Sequence, residues 1–193
     1  MRDWYKMLKK LIFVFIAYEI IQQITDKRKK SDCSSKKASV ETDRLRITPM
    51  STSELKELIA QTEKTDKELA EAYTDMLNGC KKYPDEFLWY TAWKITSKAT
   101  DEMLGDLCFK GLPENKQPEI GYGIIEEHRG KGYATEAVHA MCKWALNEMN
   151  MNAVEAETAP DNEISKHVLE KCGFGATGEK GEEGPRYIKT KEN

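Results

Sequence analysis

Gly121-Tyr122-Gly123-Ile124-Ile125-Glu126-Glu127-His128-Arg129-Gly130-Lys131-Gly132-Tyr133-Ala134-Thr135-Glu136-Ala137 decides the architecture of this chain. An apolar, strand-like run ends at Ile125, a charged turn follows, and a helical pattern starts after Gly130-Lys131-Gly132. A glycine-bearing turn that feeds a helix is a place where backbone N–H groups can meet a phosphate. The first N–H groups of a helix have no partner within it, and the peptide dipoles add partial positive charge there. A phosphorylated ligand is therefore expected at this turn. Taken alone, the same residues also fit a plain strand-to-helix connection.

Downstream, residues 133 to about 149 read as a helix with Ala134, Ala137, Val138, Met141, Trp144, Ala145 and Met149 along one face. A strand over 153–158 follows, then a helix over 161–172 that Gly173 closes in the left-handed conformation, and a last strand over 186–189. Upstream, residues 119–125, 103–109, 87–96 and 44–48 read as strands, with a turn at 97–101 joining an antiparallel pair. Ser51-x-x-Glu54 is a capping box that opens a short helix marked by Leu55, Leu58 and Ile59. Leu69, Ala72, Tyr73, Met76, Leu77 and Cys80 mark a second helix, broken by Pro84. Strands first, then strand-helix-strand-helix, predict a mixed α/β sheet.

The chain has 193 residues, with 30 Lys+Arg against 33 Asp+Glu. That length suits one domain with an appendage, and the near-neutral balance gives no support to nucleic-acid binding, which favours a concentrated basic excess. Five scattered cysteines without a C-x-x-C pair suggest neither a disulfide framework nor a zinc site. Residues 1–39 stand apart from the domain at 40–193. Arg2, Lys6, Lys9 and Lys10 precede the apolar run from Leu11 to Tyr18, and a basic, Ser-rich linker follows. The run is short of the ~20 apolar residues that a spanning helix needs, and no small-residue cleavage site follows it. Three readings stay open: a helix on a membrane surface, a helix docked on its own domain or on a second subunit, or a misassigned start.

Four motifs together carry a family resemblance. Glu127-His128-Arg129-Gly130-Lys131-Gly132 is similar to the pyrophosphate loop, R/Q-x-x-G-x-G/A, of the GNAT superfamily of N-acetyltransferases. Pro160-Asp161-Asn162-Glu163-Ile164-Ser165 and Glu170-Lys171-Cys172-Gly173-Phe174 resemble that family's N-x-x-S helix and its C-G-F ending. Val40-Glu41-Thr42-Asp43-Arg44-Leu45 resembles the E-T-x-R-L opening of the branch that acetylates ribosomal-protein N-termini. Glu127 departs from the usual Arg or Gln, at a position where phosphate contacts come mostly from the backbone.

The resemblance implies a GNAT fold: a twisted, mostly antiparallel sheet of six to seven strands, splayed between its fourth and fifth, flanked by about four helices, with residues 1–39 adding an N-terminal helix. It implies acetyl-CoA as cosubstrate, no metal, and a primary amine as acceptor, either a protein N-terminus or a small molecule. The implied cofactor-binding set is Ile124, Ile125, Arg129, Gly130, Lys131, Gly132, Tyr133, Ala134, Thr135, Asn162 and Ser165. Ile124 and Ile125 would pair with the pantetheine amides, Asn162 would contact the pantetheine or simply cap its helix, and Ser165 would hydrogen-bond the departing sulfur. Direct attack by a neutral amine needs a general base, for which Glu119 is the first candidate and Glu102 and Asp106 are weaker ones; each also fits a solvated surface carboxylate. Trp89, Tyr90 and Trp93 fit an acceptor site or a core. The expected location is cytoplasmic, with peripheral membrane contact or dimerisation through residues 1–39. A competing reading is a tethered or oligomeric interaction protein on a GNAT-like fold without turnover.

Overall fold

The computed structural model describes residues 38–191, so the expectations for the N-terminal segment lie outside the described residues in all but its last two positions. The chain runs through strands β1 (Val40–Glu41) and β2 (Leu45–Pro49), helices α1 (Thr52–Thr62) and α2 (Lys67–Lys82), and strands β3 (Ala92–Ser97), β4 (Met103–Phe109) and β5 (Ile120–Ile124). Helix α3 (Tyr133–Lys143), strand β6 (Ala153–Glu157), helix α4 (Glu163–Lys171) and strands β7 (Gly175–Lys180) and β8 (Pro185–Thr190) complete it. β1 to β5 form one antiparallel sheet in sequence order, and a second sheet has the order β6-β8-β7. The expected splay is present as the gap between β5 and β6. The strand count exceeds expectation through β1 and β7; every residue of β7 is exposed, so it shows no alternation to read.

Local chemistry explains the helix boundaries. The Ser51–Glu54 capping box is formed: the Glu54 N–H donates to Ser51 Oγ at 3.2 Å and the Ser51 N–H to Glu54 Oε2 at 2.8 Å. Asp66 caps α2, whose last turn carries Lys81 and Lys82 at the negative end of the helix dipole. α4 ends in a Schellman motif: the Phe174 N–H donates to the Leu169 carbonyl at 3.0 Å, the Gly173 N–H to the Glu170 carbonyl at 2.9 Å, and Gly173 has φ +80°.

The predicted strand over 87–96 is shorter than expected. Pro84–Trp89 is a 3-10 turn and pairing starts at Ala92, because Pro84 at the turn's start fixes a helical φ. Trp89 therefore reaches the core from a turn, stacking near Phe109 and Trp144 with centroids 4.9 and 5.3 Å away. Trp89 and Trp93 are core residues at 3% and 0% exposure, which removes them from the acceptor-site candidates.

Two clusters cover the two faces of the sheet. α1 and α2 pack Leu55, Leu58, Tyr73 and Met76 against Ala92, Met103 and Cys108. α3 packs Ala137, Val138 and Met141 against Ile47, Ile95, Leu107 and Ile124, and the same cluster takes in Val154, Ala156 and Leu169. The α-helical ladder of α3 gives way to a π-turn at Trp144–Glu148, which brings three successive residues, Trp144, Ala145 and Leu146, into the interior.

Candidate active site

The gap between the sheets begins in the register of β4 and β5. Ile124 lies opposite Gly105, and the Ile125 N–H donates to the Leu104 carbonyl at 2.9 Å. That bond makes Gly105–Ile124 a non-hydrogen-bonded pair of the antiparallel ladder, so the main-chain groups of Tyr122 and Ile124 turn away from β4 toward β6. β6 meets this edge through a parallel bridge at Glu119–Glu155, where the Glu155 N–H donates to the Pro118 carbonyl at 3.0 Å. Beyond it the strands belong to separate sheets. The split therefore opens from Glu119 toward Ile124, with the peptide groups of Tyr122 and the N–H of Ile124 turned into it from the β5 side. Of the pair Ile124 and Ile125, Ile124 faces the split and the Ile125 amide is spent on Leu104.

At the open end sits the glycine turn. Gly130 and Gly132 have φ +73° and +81°, conformations that favour glycine. A Cβ at Gly130 would meet nothing within 4 Å, so that side of the loop is open. Gly132 is the N-cap of α3 without a side-chain cap. The Glu136 N–H donates to the Gly132 carbonyl at 3.1 Å, so the N–H groups of Tyr133, Ala134 and Thr135 precede the first intrahelical bond. The Arg129 N–H donates to the Glu126 carbonyl at 3.0 Å, so the run of candidate donors starts at Gly130. The basic side chains hold loop carbonyls: Arg129 Nε donates to the Ile124 carbonyl and Lys131 Nζ to the Glu127 carbonyl, each at 3.0 Å. An open, amide-lined turn fits a diphosphate.

α4 supplies the opposite wall. Asn162 Oδ1 accepts the Ser165 N–H at 3.0 Å and caps the helix. Ser165 Oγ lies 2.9 Å from Tyr122 Oη, so one hydroxyl from β5 and one from α4 meet across the split. Burial pushes the Tyr122 phenol above its ordinary pKa, against a smaller lowering by Ser165, so it stays a neutral hydroxyl. Tyr122 was absent from the sequence-derived set. It is separated from Ser165 by 43 positions, and nothing local marks it.

The other face of the sheet carries the acids. Ile120 and Ile124 belong to the α3 cluster, so by alternation Glu119, Gly121 and Gly123 face the α1/α2 side. Glu119 is buried, not solvated, and pairs with Lys110, which also binds Glu183 at 2.8 Å. Burial raises the Glu119 pKa, and Lys110 offsets part of that rise. Glu102 lies 3.6 Å from His128, a pairing not anticipated for either residue.

Asp106, opposite Gly123, is 4% exposed and accepts the Tyr73 hydroxyl at 2.7 Å. Burial raises its pKa from the usual 3.8 to about 6, against a smaller lowering by Tyr73. The folded state thus holds this proton more tightly than the unfolded chain, and Asp106 costs stability as pH rises from about 4 to about 6. Asp106→Asn keeps an acceptor for Tyr73 and is expected to be more stable than the parent at pH 7.5 by about 3 kcal/mol, with the gap closing toward pH 4. Urea unfolding at several pH values checks this; a less stable variant at pH 7.5 would show that the charged form is favoured.

Among the described residues no group of three or more His, Cys, Asp and Glu side chains is placed to hold a metal ion, and no helix is long and apolar enough to cross a membrane. The family model described as an acetyltransferase (GNAT) domain matches residues 41–175. An uncharacterised N-acetyltransferase of Bacillus licheniformis is 36% identical over 87 residues, 45% of this chain and 49% of the relative. Another from Bacillus subtilis is 37% identical over 86 residues, 44% of this chain and 51% of the relative. The chain thus matches about half the length of these curated relatives. A solved structure titled a putative ribosomal-protein-serine acetyltransferase, from Vibrio cholerae, aligns with TM-score 0.62 at 15% identity, covering 80% of this chain and 98% of that one. A ribosomal-protein-S5-alanine acetyltransferase from Vibrio fischeri aligns with TM-score 0.61 at 19% identity, covering 80% and 96%. At these identities the structural likeness speaks for the fold.

Proposed function

The chain belongs to the GNAT acetyltransferase family, and we propose that it moves an acetyl group from acetyl-CoA to a primary amine by direct attack. The observation that carries the reading is the split itself. The β5 side turns the peptide groups of Tyr122 and the N–H of Ile124 toward it, the amide-lined turn stands at its open end, and the Tyr122 and Ser165 hydroxyls meet across it.

When bound, acetyl-CoA supplies an acetyl group activated as a thioester. The N–H groups from Gly130 to Thr135 bind the diphosphate. The main chain of Tyr122 and Ile124 continues the ladder onto the amides of the extended arm. The amine arrives from the α1/α2 face, over Gly121 and Gly123, where the strand has no side chains. Glu119, with its burial-raised pKa, takes the amine proton through water. As the C–N bond forms the C–S bond breaks, and a hydroxyl donated by Ser165 or Tyr122 meets the charge growing on sulfur. The acceptor is a protein N-terminus or a small amine.

Acetyl-CoA is expected to raise the melting temperature of the chain, and an amine panel to release thiol in its presence. Ser165→Ala should lower kcat about tenfold and leave the KM for acetyl-CoA within about twofold, because the lost hydrogen bond acts on the leaving sulfur. A raised KM with unchanged kcat would assign Ser165 to ground-state binding, and absence of saturable CoA binding by the parent chain would overturn the whole reading.

A further inference from the structure

We infer that Thr42, Arg44 and Glu136 form a positioning device that aims the amides of the glycine turn, with Arg44 acting on the loop and not on the bound anion. The inference rests on the reading that this turn holds the diphosphate of acetyl-CoA.

Glu136 lies in the first turn of α3, and donors from the segment between β1 and β2 converge on it. Arg44 gives its backbone N–H to Glu136 Oε1 at 3.1 Å and its Nε to Oε2 at 2.6 Å, and Nη2 lies 2.6 Å from the same oxygen. Thr42 Oγ1 donates to Glu136 Oε1, and is itself fixed by the Leu45 N–H at 2.9 Å. Burial alone would raise the Glu136 pKa; the hydrogen bonds from Thr42 and Arg44 outweigh it and hold the carboxylate ionised. The remaining guanidinium nitrogen, Nη1, donates to the Lys131 carbonyl at 3.0 Å. The guanidinium also lies over the Tyr133 ring, 4.7 Å from its centroid.

Two consequences follow from peptide geometry and charge. In a planar trans peptide the C=O and the next N–H point in opposite directions. Pinning the Lys131 carbonyl toward Arg44 therefore turns the Gly132 N–H to the far side of the loop, the side a ligand can reach. The guanidinium is meanwhile engaged by a carboxylate along one edge and a carbonyl on the other, so its charge is paired and each of its three nitrogens already has a partner within the protein. A half-exposed ion pair of this kind adds little to overall stability. Its specific effect is on the orientation of one peptide and the start of one helix.

The test compares acetyl-CoA affinity, KM, kcat and melting temperature in the full chain and in Arg44→Ala, Arg44→Lys, Thr42→Val and Glu136→Gln. Each variant is expected to weaken acetyl-CoA binding, by about tenfold for Arg44→Ala and Glu136→Gln, with kcat within about twofold and little thermal shift in the absence of ligand. Glu136→Gln separates positioning from direct contact. It removes a negative charge near the anion and frees Arg44, so a direct Arg44–phosphate contact would make binding tighter; positioning makes it weaker. Tighter or unchanged binding in Glu136→Gln, or unchanged binding in Arg44→Ala, would overturn the inference while leaving the acetyl-CoA reading intact. A parent chain that binds no acetyl-CoA would overturn both.

Discussion

Gly132→Val is expected to weaken acetyl-CoA binding by at least about a hundredfold, or about 3 kcal/mol, while the chain remains folded. Gly132 holds φ +81° at the N-cap of α3. A β-branched residue is a genuine outlier there, and a left-handed conformation costs an ordinary side chain roughly 1–2 kcal/mol. The Cβ itself would make an ordinary contact 3.5 Å from Arg44 Nη2, and the valine methyls beyond it would press on the same group. The turn relieves both conflicts by rotating the peptides around residue 132, which carry the amides proposed to hold the diphosphate. Titration calorimetry with acetyl-CoA, beside circular dichroism, measures this. Affinity within about threefold of the parent would show that the loop amides contribute little, since each charge-assisted hydrogen bond should count for more than that.

Gly105→Ala is expected to destabilise the chain by about 3 kcal/mol and to damage the split as well, near the upper end of what overpacking costs. A Cβ at Gly105 would sit 2.1 Å from the Gly123 carbonyl oxygen and 2.9 Å from Ile124 Cα. Both are backbone atoms, so no side chain can swing away and β5 itself has to move. That movement falls on the edge where Tyr122 and Ile124 face β6. Leu58→Ala is the matched control: it should cost about 2–5 kcal/mol in the α1/α2 cluster, away from the split. Urea unfolding should rank the two variants as similar, whereas acetyl-CoA affinity at a folded working temperature should fall in Gly105→Ala alone. Equal affinity in both would mean that β5 absorbs the displacement without disturbing the groove.

What could be read in the residues was local. The capping box at Ser51 and Glu54, β4 over its whole length, the glycine turn and the Gly173 cap each depend on neighbours within about one turn of chain, and the structure shows all of them. The aromatic run at Trp89-Tyr90-Thr91-Ala92-Trp93 misled because strand propensity and core burial look alike in sequence, and Pro84 set a 3-10 turn first. Glu119, the first candidate for the base, fitted a solvated carboxylate equally in sequence because its burial depends on Lys110 and on Glu183, far along the chain. The same distance hid the Tyr122–Ser165 pair, and it hid the physical role of Thr42 and Arg44, whose partners stand about ninety residues away.

The edge of β5 along the split has a consequence for how this protein can change over time. Tyr122 and Ile124 face the split with peptide groups, and peptide groups survive every substitution, proline apart, that leaves the strand in place. Mutation of side chains along β5 therefore alters packing long before it erases the groove's recognition pattern. The acids and bare glycines of the α1/α2 face enjoy no such protection. A sequence that keeps this backbone can therefore drift along β5 while the strand still turns the same main-chain groups toward the split.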